Sequence, residues 1–377
     1  MNMQPLGEAL DLARHFPPPD PSAWLKRVAA ELKGQDLASV IDWTPAPGIA
    51  VRALYPAARP GLAGVPFPGT WTSSAWIGAL DDTQAPRRIA TAAAGGADTL
   101  AGTLTSGSWP AAALPAYVFA PHASLTLGPG TATGAFVLRA PADAAPDDLD
   151  DAIRTQWVAA PALAEQQALR FLAIDLVPAA GRSLPVQLGL ALSATRRHIE
   201  LGLDAGWPID TVLGRMLFTV PTGRLFFPEL ARLRALRATV DVLLRAYQPD
   251  RAAWPALHIV AETERCTDGD PYAHALRTTP MALAAIIGGC DALIIHPGRE
   301  TDASRDSAWD RLALNTHHVL RYEAQIGQTA DAAGGAGYVE HLTDQIARKA
   351  WRIFQAMERD RRVALGPESL DRYDEVA

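Results

Sequence analysis

The sequence predicts an α/β protein, a (β/α)8 TIM-type barrel with an extended N-terminal arm. From about Trp71 onward, short apolar runs alternate with amphipathic helical stretches, the pattern of β/α units around a parallel sheet. The runs are wholly apolar rather than alternating, which suits strands covered on both faces. Eight such units fit before residue 360, close to the roughly 250 residues plus extensions that these barrels occupy. A doubly wound open sheet is the alternative, because strand order is invisible in a sequence.

The arm comes first. Phe16-Pro17-Pro18-Pro19 is too proline-rich for helix or central strand, and it precedes an amphipathic segment over 22–33. Trp24, Leu25, Val28 and Leu32 fall on one side of that segment, Ser22 is its expected cap, and Gly34 stops it. Short extended pieces at 41–44 and 48–51 lead into a turn-rich stretch over 56–69. A short helix and two short strands cannot bury themselves alone. We divide the chain into an arm for subunit contact (1–65), the barrel (66–360) and a C-terminal tail (361–377).

In the barrel, strands are expected at 74–78, 99–103, 136–139, 171–175, 216–220, 257–261 and 292–295, with a short last one near Thr329. Helices are expected at 186–203, 224–247, 271–287, 309–326 and 339–359. The units between 79 and 165 are weakly patterned. The clearest stretch is 270–295. There Asp270 can cap a helix whose first turn accepts Pro271, and Leu276, Met281, Leu283, Ala284, Ile286 and Ile287 give it a broad apolar face. Gly288-Gly289 ends the helix and a short buried strand follows.

Composition narrows the function. A formal charge of -7 and a pI near 5.7 argue against a nucleic-acid surface. Arg196-Arg197 and the cluster over 359–362 read as solvated helix ends. Cys266 and Cys290 have no metal-type spacing, so neither a metal site nor a disulfide framework is expected, and a reducing compartment fits. The N-terminus has acidic residues and no long apolar stretch, and no window nears the ~18 apolar residues of a membrane span. A cytoplasmic protein with no membrane partner is the expectation.

The wording of the 270–295 run resembles the adenosylcobalamin-dependent acyl-CoA mutase family, of which methylmalonyl-CoA mutase is a member. Asp270-Pro271-Tyr272, Arg277-Thr278-Thr279 and Gly288-Gly289 match the family's order, whereas His274 stands where Asn is expected. The stretch 331–343 resembles the family's Asp-Pro-Leu-Gly-Gly-Ser-Tyr-Tyr-Val-Glu segment. Trp309 to Glu323, with Asn315-Thr316, resembles the helix before it. The resemblance is firm over 205–358, with a fainter copy over 16–55. It implies a barrel that encloses an acyl-CoA, and an arm that wraps a partner subunit.

The family's chemistry is missing from its expected places. Its cobalamin domain carries Asp-x-His-x-x-Gly, and none of the nine histidines here has Asp two residues before it. Ala180-Gly181 and Val186-Gln187 are kept, but residues 173–178 upstream hold neither the family's Tyr nor its His, so the proton donor to the thioester oxygen is absent. Residues 75–82 likewise replace a segment with Arg and Tyr, and the 262–269 loop is short and lacks the family's Trp. The resemblance therefore implies the small, noncatalytic subunit of a heterodimeric methylmalonyl-CoA mutase, lacking the C-terminal cobalamin-binding domain. Its partner would be the large catalytic subunit, which interconverts methylmalonyl-CoA and succinyl-CoA and holds the adenosylcobalamin. This chain alone would bind no cofactor. The alternatives are a mutase barrel using a cobalamin domain in trans, or a degenerate barrel that binds acyl-CoA.

No catalytic residue is assigned. Barrel-mouth candidates are Asp175, Asp270, Tyr272, Arg277, Asp291 and His296. Each also has a structural role open to it. Asp175 can cap the next helix, and Arg277 can brace the fold through Asp270 or Asp291. His258 and His296 flank strands as satisfied buried imidazoles, and His317-His318 inside a helix can send at most one ring to a site. Glycines 334, 335 and 337 open a helix, and a tight turn is favoured there over a phosphate cradle because no Lys-Ser or Lys-Thr follows.

Overall fold

A computed structural model of the 377-residue chain describes residues 20–46, 49–55, 58, 61, 65, 67–80, 83–104, 114–120, 134–138, 153, 156–158, 169–248, 257–266, 269–298, 307–359 and 373. The Phe16–Pro19 run, Asp81-Asp82, nearly all of the 361–377 tail and most of 121–168 lie outside the described residues.

The strands close on themselves. In chain order they are β1 Thr72–Ala79, β2 Thr99–Thr103, β3 Ala116–Ala120, β4 Gly134–Leu138, β5 (Leu169–Arg170 and Leu172–Asp175), β6 Met216–Thr222, β7 Ile259–Thr263 and β8 Ala292–Ile295. Every neighbouring pair is parallel. The first segment of β5 pairs with β4 and the second with β6, so one strand interrupted at Phe171 joins the two sides of the sheet. The ring closes where β8 pairs with β1, Ile294 opposite Ser74. Successive strands are neighbours all the way round, the order of a (β/α)8 barrel rather than an open doubly wound sheet.

Alternation along each strand divides the apolar residues into two layers. Leu293 and Ile295 of β8, like Met216, Phe218 and Val220 of β6, pack outward against the helices. Ala292 and Ile294, with Leu217 and Val260, point into the barrel, where they meet Trp76, Tyr117 and Phe119. Both layers are buried, hence the unbroken apolar wording of the strands.

The helices used below are α1 Ala85–Ala94, α2 Leu184–Asp204, α3 Ile209–Arg215, α4 Phe226–Tyr247, α5 Pro271–Gly288, α6 Ser307–His318 and α7 Gly337–Arg359. Helix α5 forms as its wording requires: Asp270 Oδ1 accepts from Tyr272 N at 3.0 Å, Pro271 takes the first turn, and Gly289 ends the helix at φ 92°. Only a residue without Cβ fits there, since an added Cβ would also meet the Phe67 ring at 2.6 Å. Helix α7 packs on α2 and α4. Arg196 is no solvated helix end; it ties α2 to α7 by pairing with Glu358 at 2.6 Å.

Two expectations about the barrel fail. Residues 326–335 form turns, so no strand lies near Thr329. The missing strand is β3, whose Ala-Tyr-Val-Phe-Ala is too short and alanine-rich to stand out from its surroundings. Helix α6 also stops earlier than expected and passes into a π-helical turn, Val319–Glu323.

The arm has two parts. Its helix Pro21–Glu31 buries no residue and leaves Trp24 and Leu25 exposed, and Asp20 rather than Ser22 caps it, accepting from Ser22 N at 2.9 Å. The antiparallel pair Trp43–Ala46 and Ile49–Val51 sets Ile49 and Val51 into the core beside α7. Tyr55 packs on Tyr338 and His341, with ring centroids 5.5 and 4.9 Å away.

Candidate site at the barrel mouth

The carboxyl ends of the strands are where barrels of this class place their sites. Trp76 of β1, Phe119 of β3, Glu262 of β7 and His296 just after β8 meet there, all buried. His296 Nε2 lies 3.2 Å from Glu262 Oε2, and its backbone N–H donates to Thr263 Oγ1 at 3.0 Å. The carbonyl of His296 is 3.0 Å from His274 Nε2 on α5. Trp76 stands edge-on to the imidazole with centroids 4.5 Å apart, and 6.2 Å from Phe119. Above it the Arg265 guanidinium covers the indole at 4.5 Å.

Below this layer the barrel is filled. Tyr117, Leu217, Val260 and Ile294 occupy the axis, and Tyr117 Oη lies 2.9 Å from His258 Nε2 nearer the amino ends of the strands. Burial pushes the Tyr117 hydroxyl up to about 12 and the His258 imidazole down to about 3, the latter aided by Arg170 and Arg237. Both are neutral at pH 7. Their bond is that of a satisfied interior pair.

Of the predicted mouth residues, only Asp175 and His296 reach the mouth with a polar role inside it. Asp175 Oδ1 accepts from Val177 N at 3.1 Å and Thr219 Oγ1 at 2.5 Å, fastening the β5 end to β6 and starting the next short helix. Asp270 is spent as the α5 cap, and Tyr272, 71% exposed, packs edge-on against Trp309. Arg277 is exposed and does not brace Asp291. Asp291 belongs to the opposite end of the barrel, since it precedes β8. There Arg237 Nη2 donates to its Oδ2 at 2.8 Å, and Ile259 N at 2.7 Å.

Glu262, Trp76 and Arg265 were missed. Glu262 is the signal that was available: it directly follows the strand expected at 257–261, so one further residue of strand turns it from loop opener to barrel lining. The glycine stretch forms a turn before α7. Gly335 N donates to Glu340 Oε1 at 3.0 Å.

Each described histidine has a partner in the fold. His198 accepts from Trp157 Nε1 and His317 from Trp71 Nε1; His318 bonds the Gly95 carbonyl, and His341 lies on Tyr55. With His258, His274 and His296 engaged as above, each already serves the fold. No group of three or more metal-binding side chains occurs among the described residues.

A family model described as methylmalonyl-CoA mutase matches residues 175–361. Residues 175–361 belong to the methylmalonyl-CoA mutase family. The match begins at Asp175, ahead of the 205–358 stretch carried by the motifs. Methylmalonyl-CoA mutase of Rhizobium meliloti (strain 1021) is 30% identical over 181 residues, 48% of this chain and 25% of that protein. The methylmalonyl-CoA mutase small subunit of Streptomyces virginiae is 31% identical over 193 residues, 51% of this chain and 31% of its own length. The large subunit from the same organism is 30% identical over 181 residues, 48% and 25% of the two chains. The chain thus spans between a quarter and a third of the curated relatives it matches. Among solved structures, Xanthomonas albilineans dihydropteroate synthase overlays with a TM-score of 0.36 at 15% identity, covering 70% of this chain and 98% of that one, a likeness too low to bear on function. No helix among the described residues is long and apolar enough to cross a membrane.

Proposed function

We propose that this chain is the small, noncatalytic subunit of a heterodimeric, cytoplasmic methylmalonyl-CoA mutase, bound to a large subunit that holds adenosylcobalamin and interconverts methylmalonyl-CoA and succinyl-CoA. The observation that carries the reading is the filled barrel. An acyl-CoA enclosed by a barrel needs an open axis, and here Trp76, Tyr117, Phe119, Leu217, Val260 and Ile294 occupy it. The end of β5 agrees, because its one acidic group, Asp175, is bound to Val177 N and Thr219 rather than aimed at a substrate.

What remains for such a barrel is support. The helix Pro21–Glu31 carries Trp24 and Leu25 on a surface with no contact of its own in the core, the composition expected of an interface anchor. A stable interface of this kind buries on the order of 1,600 Å². The test is co-expression with the large subunit followed by size-exclusion chromatography. A stable 1:1 complex is expected. A chain that elutes alone as a monomer in the presence of the large subunit overturns the reading.

A further inference from the structure

We propose that the barrel mouth is a closed pocket for a flat aromatic heterocycle, in which the indole of Trp76 stands in the ligand's place, latched by Arg265 and resting on the Glu262–His296 pair. This inference concerns the mouth alone and stands whether or not a large subunit binds.

The geometry has the parts of a site. The floor is polar: Glu262 and His296 are both buried and lie 3.2 Å apart, near enough to anchor a ring N–H or ring nitrogen. Sealing a barrel needs no such pair, because apolar side chains of the same volume fill the space without the desolvation cost of ionisable groups. One wall is aromatic, Phe119, at 6.2 Å from the indole. The neighbouring strands supply Ala101, Val137 and Ala173, all smaller than the indole, which is the largest side chain closing this end.

The roof is the most exposed part. Arg265 is exposed, and its guanidinium lies on the ring face at 4.5 Å, a contact of the weaker, solvent-screened class. Trp76 therefore has buried neighbours below and an exposed cation on its outer face. An aromatic ligand replacing it would meet an edge-on imidazole, a tilted phenyl ring and a guanidinium, with the Glu262 carboxylate against the imidazole.

The test uses the full-length chain and indole as probe. In Trp76→Ala, indole should bind saturably and raise the melting temperature, whereas the wild-type chain should show neither effect at the same concentration. Adding Glu262→Gln to Trp76→Ala should weaken binding at least several-fold. A folded Trp76→Ala protein that binds no indole, or binds it equally with Glu262→Gln, overturns the proposal. If Trp76→Ala does not fold, 19F NMR of the 5-fluorotryptophan-labelled chain decides. The Trp76 resonance, assigned by its loss in Trp76→Phe, should move in Arg265→Gln and on adding indole to that variant. A resonance that moves in neither overturns it.

Discussion

Arg237 of α4 and Asp291 at the start of β8 form a buried ion pair, Nη2 to Oδ2 2.8 Å, that fastens a helix to the amino end of the barrel. Arg237 also donates to the Gly289 carbonyl at 3.0 Å through Nε, so a single guanidinium holds the end of α5 and the start of the next strand. Burial pushes the Asp291 carboxyl above its usual range, and Arg237 draws it back. Removing one partner leaves a buried charge without the other. Asp291→Ala should lower unfolding free energy by about 3–5 kcal/mol in urea titrations. Replacing both, with Arg237→Met and Asp291→Leu, should cost much less. Equal losses in the single and double variants would contradict this account.

Three imidazoles set the acid limit of stability. His198, His258 and His317 are each pushed by burial from the usual range down to about 3. All three are neutral in both states above pH 6.5, and their contribution is then fully present. Below that pH the unfolded chain takes up protons that the native chain does not, so stability falls as pH drops from about 6.5 toward 3. Each histidine adds a slope of about 1.4 kcal/mol per pH unit. His317→Gln keeps an acceptor for Trp71 Nε1 and should remove one such increment, read from urea titrations at pH 7 and pH 5. An unchanged pH dependence would show that His317 titrates normally.

The barrel was legible because burial writes itself into sequence twice, as apolar strands and as helices with one wide apolar face. Strands β6, β7 and β8 were placed to within a few residues for that reason. Strand β3 was not, because five residues with alanine at both ends have no periodicity to read. The candidate site was half legible. His296 is visible as a histidine at a strand end, but its partners Glu262 and Trp76 come from β7 and β1, distant in sequence, and only closure of the sheet brings them together. Asp291 misled for the converse reason: it abuts a strand at the wrong end.

The arm helix offers a separable surface. Trp24→Ser with Leu25→Ser changes two exposed residues of a helix that buries nothing, so stability should shift by less than about 0.5 kcal/mol. If this helix anchors the large subunit, affinity in a pull-down or calorimetric titration should fall at least tenfold. Unchanged affinity would move the interface elsewhere on the chain.

Glu340 is where arm, glycine turn and barrel meet. Its Oε1 accepts from Gly335 N at 3.0 Å and from Arg234 Nη2 at 2.6 Å, and its Oε2 from Gly61 N at 3.1 Å. Arg234 is fully buried on α4 and also pairs with Asp331, so the glycine turn is pinned from both sides. Ala58 N donates to the Gly335 carbonyl at 3.1 Å, which carries the same connection into the root of the arm. Glu340→Gln keeps an acceptor but removes the charge opposite Arg234, whereas Glu340→Ala removes both. Global stability should therefore fall in the order wild type, Glu340→Gln, Glu340→Ala, the last by about 3–5 kcal/mol for a broken buried pair. The decisive measurement is local. Amide exchange at Gly61 and Gly335 should quicken in Glu340→Ala well beyond the change in global stability, while amides of β7 and β8 follow the global value. Exchange that rises uniformly along the chain would mean that Glu340 stabilises the barrel without specifically fastening the arm to it.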